Sequence, residues 1–163
     1  MAAEETLAPE VIADLKARAI SQPLVERIYT ADPSAHVFEG RLYIYPSHDI
    51  DAGTPFDDEG GHFGMVDYHV LRMDAPDGEV VDCGPALHVR DVPWAKRQMW
   101  APDAACRDGR YYFYFPAKDA DDIFRIGVAV GDRPEGPFTA QPDAMAGTYS
   151  IDPAVYADDD GEQ

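Results

Sequence analysis

The chain has 163 residues, 45% of them hydrophobic and 11% aromatic, which suits one globular domain of ordinary size. Its 31 acidic residues outnumber 13 Lys and Arg, giving a formal net charge of -18. So acidic a surface repels phosphate backbones and anionic headgroups, which argues against nucleic acid and membrane as partners and is indifferent to a neutral ligand.

The N-terminal stretch has early acids and no long apolar core, so it does not read as a signal peptide. No segment reaches bilayer-spanning length, and a cytoplasmic protein is the simplest expectation. Residues 9–20 read as a helix. Pro9 suits a first helical turn, and Ile12, Leu15 and Ala19 fall on one face. The expectation is a helical leader over residues 1–25, packed on a main body over residues 26–163.

From Val25 onward the helical signal disappears. Val37-Phe38 and Leu42 to Tyr45 read as two strands turning at Gly40. Ser47-His48-Asp49 follows, then a long loop over 50–64, rich in Asp and Gly, of a length that is usually functional or loosely held. Tyr68 to Met73 reads as a strand, Asp77-Gly78 as a turn and Glu79 to Cys83 as a short strand. Val89 to Arg97 is a loop carrying Trp94, Lys96 and Arg97. Ala104–Arg107 and Tyr111–Phe115 form a second hairpin. Ile123 to Val130 is a long apolar strand, and the Asp132 to Phe138 turn leads into a short outer one. Cys83 and Cys106 are a pair too few for a disulfide framework or zinc site, and both read as reduced, semi-buried strand residues.

One pattern recurs. Asp32-Pro33 leads to Glu39-Gly40 and an aromatic strand. Ala101-Pro102-Asp103 leads to Asp108-Gly109 and another. Ile151-Asp152-Pro153 leads to Asp158-Asp159-Asp160-Gly161, where the sequence given stops. Units of about 40–50 residues with several short strands each are the mark of a propeller, and the 50–64 loop lengthens the first. A β-sandwich with similar hairpins is the competing architecture. Proline disfavours the helical region for its predecessor, so Asp32 is expected on extended backbone at a strand entrance. The third hairpin lacks its second strand. The chain therefore reads as about two blades and the start of a third.

Taken together, Ala31-Asp32-Pro33-Ser34, Tyr45-Pro46-Ser47-His48-Asp49, Trp100-Ala101-Pro102-Asp103, Tyr114-Phe115-Pro116-Ala117-Lys118-Asp119, Phe124 to Ala129 and Ser150-Ile151-Asp152-Pro153 resemble glycoside hydrolase family 43. The resemblance implies an all-β, five-bladed propeller that hydrolyses xylosides or arabinosides. It implies that Asp32 is the general base and Asp152 the carboxylate that raises the pKa of the acid. It also implies a general-acid Glu from the following blade, which no residue here matches; Glu135, in an Arg-Pro-Glu-Gly-Pro turn, does not take that place. The 163 residues alone are accordingly expected to have little or no activity. Some family members hold Ca2+ in the central channel, which needs hard oxygen ligands; Asp57-Asp58-Glu59 is the run that offers them, and it reads more simply as a solvated loop. No cofactor or metal is otherwise expected, and oligomeric state is left open.

The chemistry explains the acids. Inverting hydrolysis needs one carboxylate to activate water and one protonated acid to donate to the leaving oxygen, set about 6.5–9.5 Å apart. A third carboxylate near the acid keeps it protonated. Trp100 and Phe115 are candidates to stack on a sugar ring, with core packing as the other reading. Arg97 is a candidate donor to hydroxyls, and His48 and Asp49 a candidate pocket rim. Asp103 follows its proline instead of preceding it, and is read as structural or as support for the site. Two other functions remain open from sequence: a non-catalytic sugar-binding or scaffold segment, and a retaining furanosidase with Asp32 as nucleophile.

Overall fold

The computed structural model describes residues 8–50, 52–58 and 60–158. Helix α1, Pro9–Arg18, begins with proline in its first turn and carries Lys16 and Arg18 in its last, where cations suit the helix dipole. It buries none of its residues, and Val11, Ile12 and Leu15 all stay exposed. The expected packing on the body is therefore not seen. Three apolar side chains give too narrow a stripe to anchor it, and its tether is an exposed Lys16–Glu26 pair. No helix among the described residues is long and apolar enough to cross a membrane.

The rest is two four-stranded antiparallel sheets, each wound in chain order. The first holds β1 (Tyr29–Phe38), β2 (Arg41–Asp49), β3 (Asp67–Met73) and β4 (Val81–His88). The second holds β5 (Asp103–Arg107), β6 (Arg110–Lys118), β7 (Phe124–Gly131) and β8 (Thr139–Ala140). Each opens with a two-residue hairpin. Phe38 pairs with Arg41 and Arg107 with Arg110, leaving Glu39-Gly40 and Asp108-Gly109 as loops with both residues at positive φ. That conformation matches the twist of the flanking strands. Cys83 and Cys106 are free and partly buried on β4 and β5.

Aromatic residues fill the space between the sheets. Tyr45 and Tyr68 of the first meet Phe113 of the second at ring-centroid distances of 5.8 and 4.9 Å, and Phe138 stacks on Phe113 at 4.9 Å. Period-two alternation explains the choice: Tyr111, Phe113 and Phe115 on β6 are buried, while Tyr112 and Tyr114 are only partly so. The Tyr45 hydroxyl, deep between the sheets, donates to the Pro134 carbonyl at 2.8 Å. Burial of such pairs is worth about 1.5–3 kcal/mol per large side chain, which makes the contact between sheets a core and not a loose touch.

Two elements differ from the sequence reading. β1 starts at Tyr29, so Asp32 and Pro33 lie inside the strand. An edge strand tolerates proline at a bulge, and the β1–β2 register shifts between Ala31 and Ser34. The last β4 residues extend past the expected short strand to His88. Residues 150–158 form no strand, and the expected turn at Asp159, Asp160 and Gly161 lies outside the described residues.

Candidate active site

The bulge in β1 decides where Asp32 points. Its φ is +44°, a left-handed value, not the extended backbone that Pro33 suggested. A β-carbon residue there is strained, the more so ahead of proline, and strain of this kind persists where the surroundings impose it. Asp152, also followed by proline, has φ +55°. The two Asp-Pro steps share an unusual backbone as well as a sequence.

Both acids line one cleft of about 210 Å3, together with Ala31, Asp49, Phe63, Met65, Trp100 and Ile151. Asp32 comes from β1, Asp49 from the end of β2, Trp100 from the approach to β5 and Asp152 from the chain beyond β8. Residues far apart in sequence therefore meet at one end of the two sheets.

Asp49 is held beside Asp32 by Ser47, a fully buried residue whose hydroxyl lies 3.2 Å from both Asp49 Oδ1 and the Ala31 carbonyl. Burial raises the Asp49 carboxyl above its ordinary pKa. The Ser47 hydrogen bond pulls the other way, and the charge of Asp32 adds to the rise. Asp49 is thus a carboxyl whose ionisation is opposed by its neighbour.

Trp100 is fixed on three sides. Its carbonyl accepts from the Tyr68 hydroxyl at 2.6 Å, its indole N–H donates to the Phe63 carbonyl at 3.3 Å, and Phe124 packs at 4.5 Å. The long loop after β2 closes over it. Gly60 has φ +73°, and a β-carbon there would sit 2.9 Å from the indole. The buried Gln98 amide donates to the Gly60 carbonyl at 2.8 Å. That loop supplies Phe63, and Met65 follows it; the sequence reading had neither. An aromatic next to a Gly-flanked turn was the available signal for Phe63, but nothing in the sequence alone ties it to Trp100.

Asp103 braces the far side. It is 7% exposed and accepts from the Val155 and Ala104 N–H groups at 2.7 and 2.8 Å, with His36 Nε2 at 2.6 Å. One carboxylate thus joins β1, β5 and the segment three residues past Asp152.

The other predicted positions lie elsewhere. Phe115 is fully buried in the core, stacked on Trp94 at 5.8 Å, because β6 turns its odd-numbered side chains inward. Arg97 is spent on Asp122, with two hydrogen bonds of 2.7 Å, and holds the Asp122 carboxyl down at about 2. His48 lies on the face of β2 opposite Asp49, with Nδ1 2.6 Å from Asp67. None of the three lines the cleft. Glu135 stands on the rim between β4 and the β7–β8 turn, and no glutamate is among the described residues that line the cleft. As for Ca2+, Asp57 accepts from the Gly61 N–H at 2.8 Å and shapes a turn, while Glu59 lies outside the described residues. The described part of that run offers no cage of hard oxygens.

Known proteins share the family and the fold of this chain. The family model described as Glycosyl hydrolases family 43 matches residues 30–163. Xylosidase/arabinosidase 43A of Humicola insolens is 60% identical over 141 residues, which are 85% of this chain and 43% of that protein. Among solved structures, a GH43_1 enzyme from Xanthomonas citri complexed with xylotriose superposes with a TM-score of 0.83 at 67% identity, covering 93% of this chain and 44% of that one. CoXyl43, a β-xylosidase/α-arabinofuranosidase from a compost metagenome, in its calcium-free complex with xylotriose, gives a TM-score of 0.84 at 67% identity, covering 86% and 42%. The chain spans less than half the length of each.

Proposed function

The chain belongs to glycosyl hydrolase family 43, its two sheets being blades of that family's five-bladed propeller, and from that premise we propose that the whole protein is an inverting glycosidase acting on short xylo-oligosaccharides or arabinosides. The observation that carries the proposal is the convergence of Asp32 and Asp152, both at left-handed Asp-Pro steps, on one cleft walled by Trp100.

Each residue then has a role. Asp32, exposed and unshielded, removes a proton from the attacking water. Asp152 takes the role of the nearby carboxylate that holds a donor acid protonated. The acid itself is a residue beyond those lining this cleft. Trp100 offers an apolar wall to the C–H face of the sugar, and its three anchors keep the indole in place before substrate arrives. Asp49, beside Asp32 in the cleft, has carboxyl oxygens whose lone pairs can accept a hydrogen bond from a sugar hydroxyl. A substrate without charge suits a surface of net charge -18. That the neighbouring structures contain xylotriose supports a xylo-oligosaccharide.

The test is sugar release from xylotriose, and from aryl xylosides and arabinofuranosides, by the whole protein and its Asp32→Asn variant. Turnover that falls by about 10^2-fold or more in the variant supports the assignment. An inactive wild type, or a fully active variant, contradicts it.

A further inference from the structure

We propose that the face of the first sheet turned away from the second carries a binding site for a divalent transition ion of the Zn2+ type, formed by His48, Asp67 and His69. The inference is independent of the glycosidase reading. One ligand atom from each residue lies within 4.8 Å of the other two, and the three side chains are only 15–17% exposed.

The topology sets up the cluster. Asp67 and His69 are two apart on β3, so they share a face. His48 is four residues past Ile44 on β2, and Asp67 four before its partner Leu71 on β3. The two strand ends therefore bring three donors together beyond the small apolar cluster of Ile44, Leu71 and Met73. The His48 and His69 rings stand 4.7 Å apart between centroids.

The surroundings prepare His69 as a ligand. Its Nδ1 lies 2.9 and 3.1 Å from the two oxygens of Asp82, which orients the ring and leaves Nε2 without a hydrogen-bond partner among the described residues. Asp82 is itself fixed by Arg27 at 2.7 Å and by the Gly84 N–H at 2.8 Å. A carboxylate behind a metal-bound histidine is the usual outer-shell arrangement. Two nitrogens and one carboxylate suit Zn2+, or another ion of similar softness, in preference to Ca2+, which takes oxygen ligands. Zn–N and Zn–O bonds of about 2.0–2.2 Å require modest closure of the side chains around the ion. Three protein ligands leave a fourth position for water. Bound metal would tie the ends of β2 and β3 together next to Asp49, whose own side chain turns to the cleft.

The experiment is calorimetric titration of the metal-free whole protein with ZnCl2, with CaCl2 in parallel. One Zn2+ per chain, bound at micromolar concentration or tighter, is expected. His69→Ala should abolish that site, Asp82→Asn should weaken it about 10–100-fold, and His62→Ala with His88→Ala should leave it unchanged. Should His69→Ala fail to fold, ring-nitrogen NMR of the wild type decides: Zn2+ should shift His48 and His69 and no other histidine. Absence of Zn2+ binding, full affinity in folded His69→Ala, or shifts confined to other histidines would overturn the proposal.

Discussion

Replacing Asp103 by alanine should both destabilise the protein and loosen the approach to Asp152. The carboxylate is 7% exposed and meets three partners at 2.6–2.8 Å: His36, the Val155 N–H and the Ala104 N–H. Hydrogen bonds to a charged group contribute about 1.5–3 kcal/mol each, and a half-buried donor left alone costs a similar amount. Water can reach His36, which retains 27% exposure, and can replace part of its loss. A net cost of about 3 kcal/mol follows. The pH dependence is a second reading of the same contact. Burial would raise the Asp103 carboxyl, but His36, Val155 and Ala104 outweigh it, and its pKa lies below the ordinary value. A carboxyl depressed in the folded state contributes stability above its unfolded pKa of about 3.9 and loses it as pH falls through the folded value. Urea unfolding at neutral pH and through the acid range measures both effects. Asp103→Ala should lower stability by about 3 kcal/mol at pH 7 and show a shallower acid loss than wild type. A cost below about 0.5 kcal/mol, with identical acid slopes, would show that the brace has no energetic content.

Three further outcomes follow from the cleft. Asp152→Asn should slow xylotriose hydrolysis by about 10–100-fold and move the alkaline limb of the pH–rate profile to lower pH, because the donor acid loses a nearby negative charge that keeps it protonated; an unchanged profile would remove Asp152 from that role. Asp32→Asn should lower the Asp49 pKa, since Asp32's charge contributes to its rise, and carboxyl NMR titration would expose an unmoved value. Gly60→Ala places a β-carbon 2.9 Å from the Trp100 indole at φ +73°, so weaker binding of xylotriose by calorimetry is expected, with a stability loss of about 1–3 kcal/mol; wild-type affinity would mean that the loop does not set the indole.

Much of the fold was legible because it is local. Two-residue turns at Glu39-Gly40 and Asp108-Gly109 and the aromatic strands behind them place the hairpins directly, and their recurrence identifies the blades. The acids Asp32 and Asp152 were legible through the same recurrence. Side-chain direction was not. Phe115 and His48 stand next to cleft or core residues in sequence, but strand alternation sends Phe115 inward and His48 to the far face. Arg97 appeared free because its partner, Asp122, is 25 residues on. Phe63 and Met65 depend on how a long loop folds over Trp100, which local sequence does not encode. The left-handed backbone at Asp32 was hidden by its neighbour: Pro33 argues for extension, and the β1 bulge overrides it.

The central claim is that Asp32 activates water opposite a protonated donor, so that hydrolysis inverts the anomeric centre. Proton NMR of the first sugar released from xylotriose by the whole protein tests it most directly. The α-anomer should appear first and then mutarotate. Initial release of the β-anomer would contradict it, because retention would require Asp32 to act as a nucleophile bonded to the sugar.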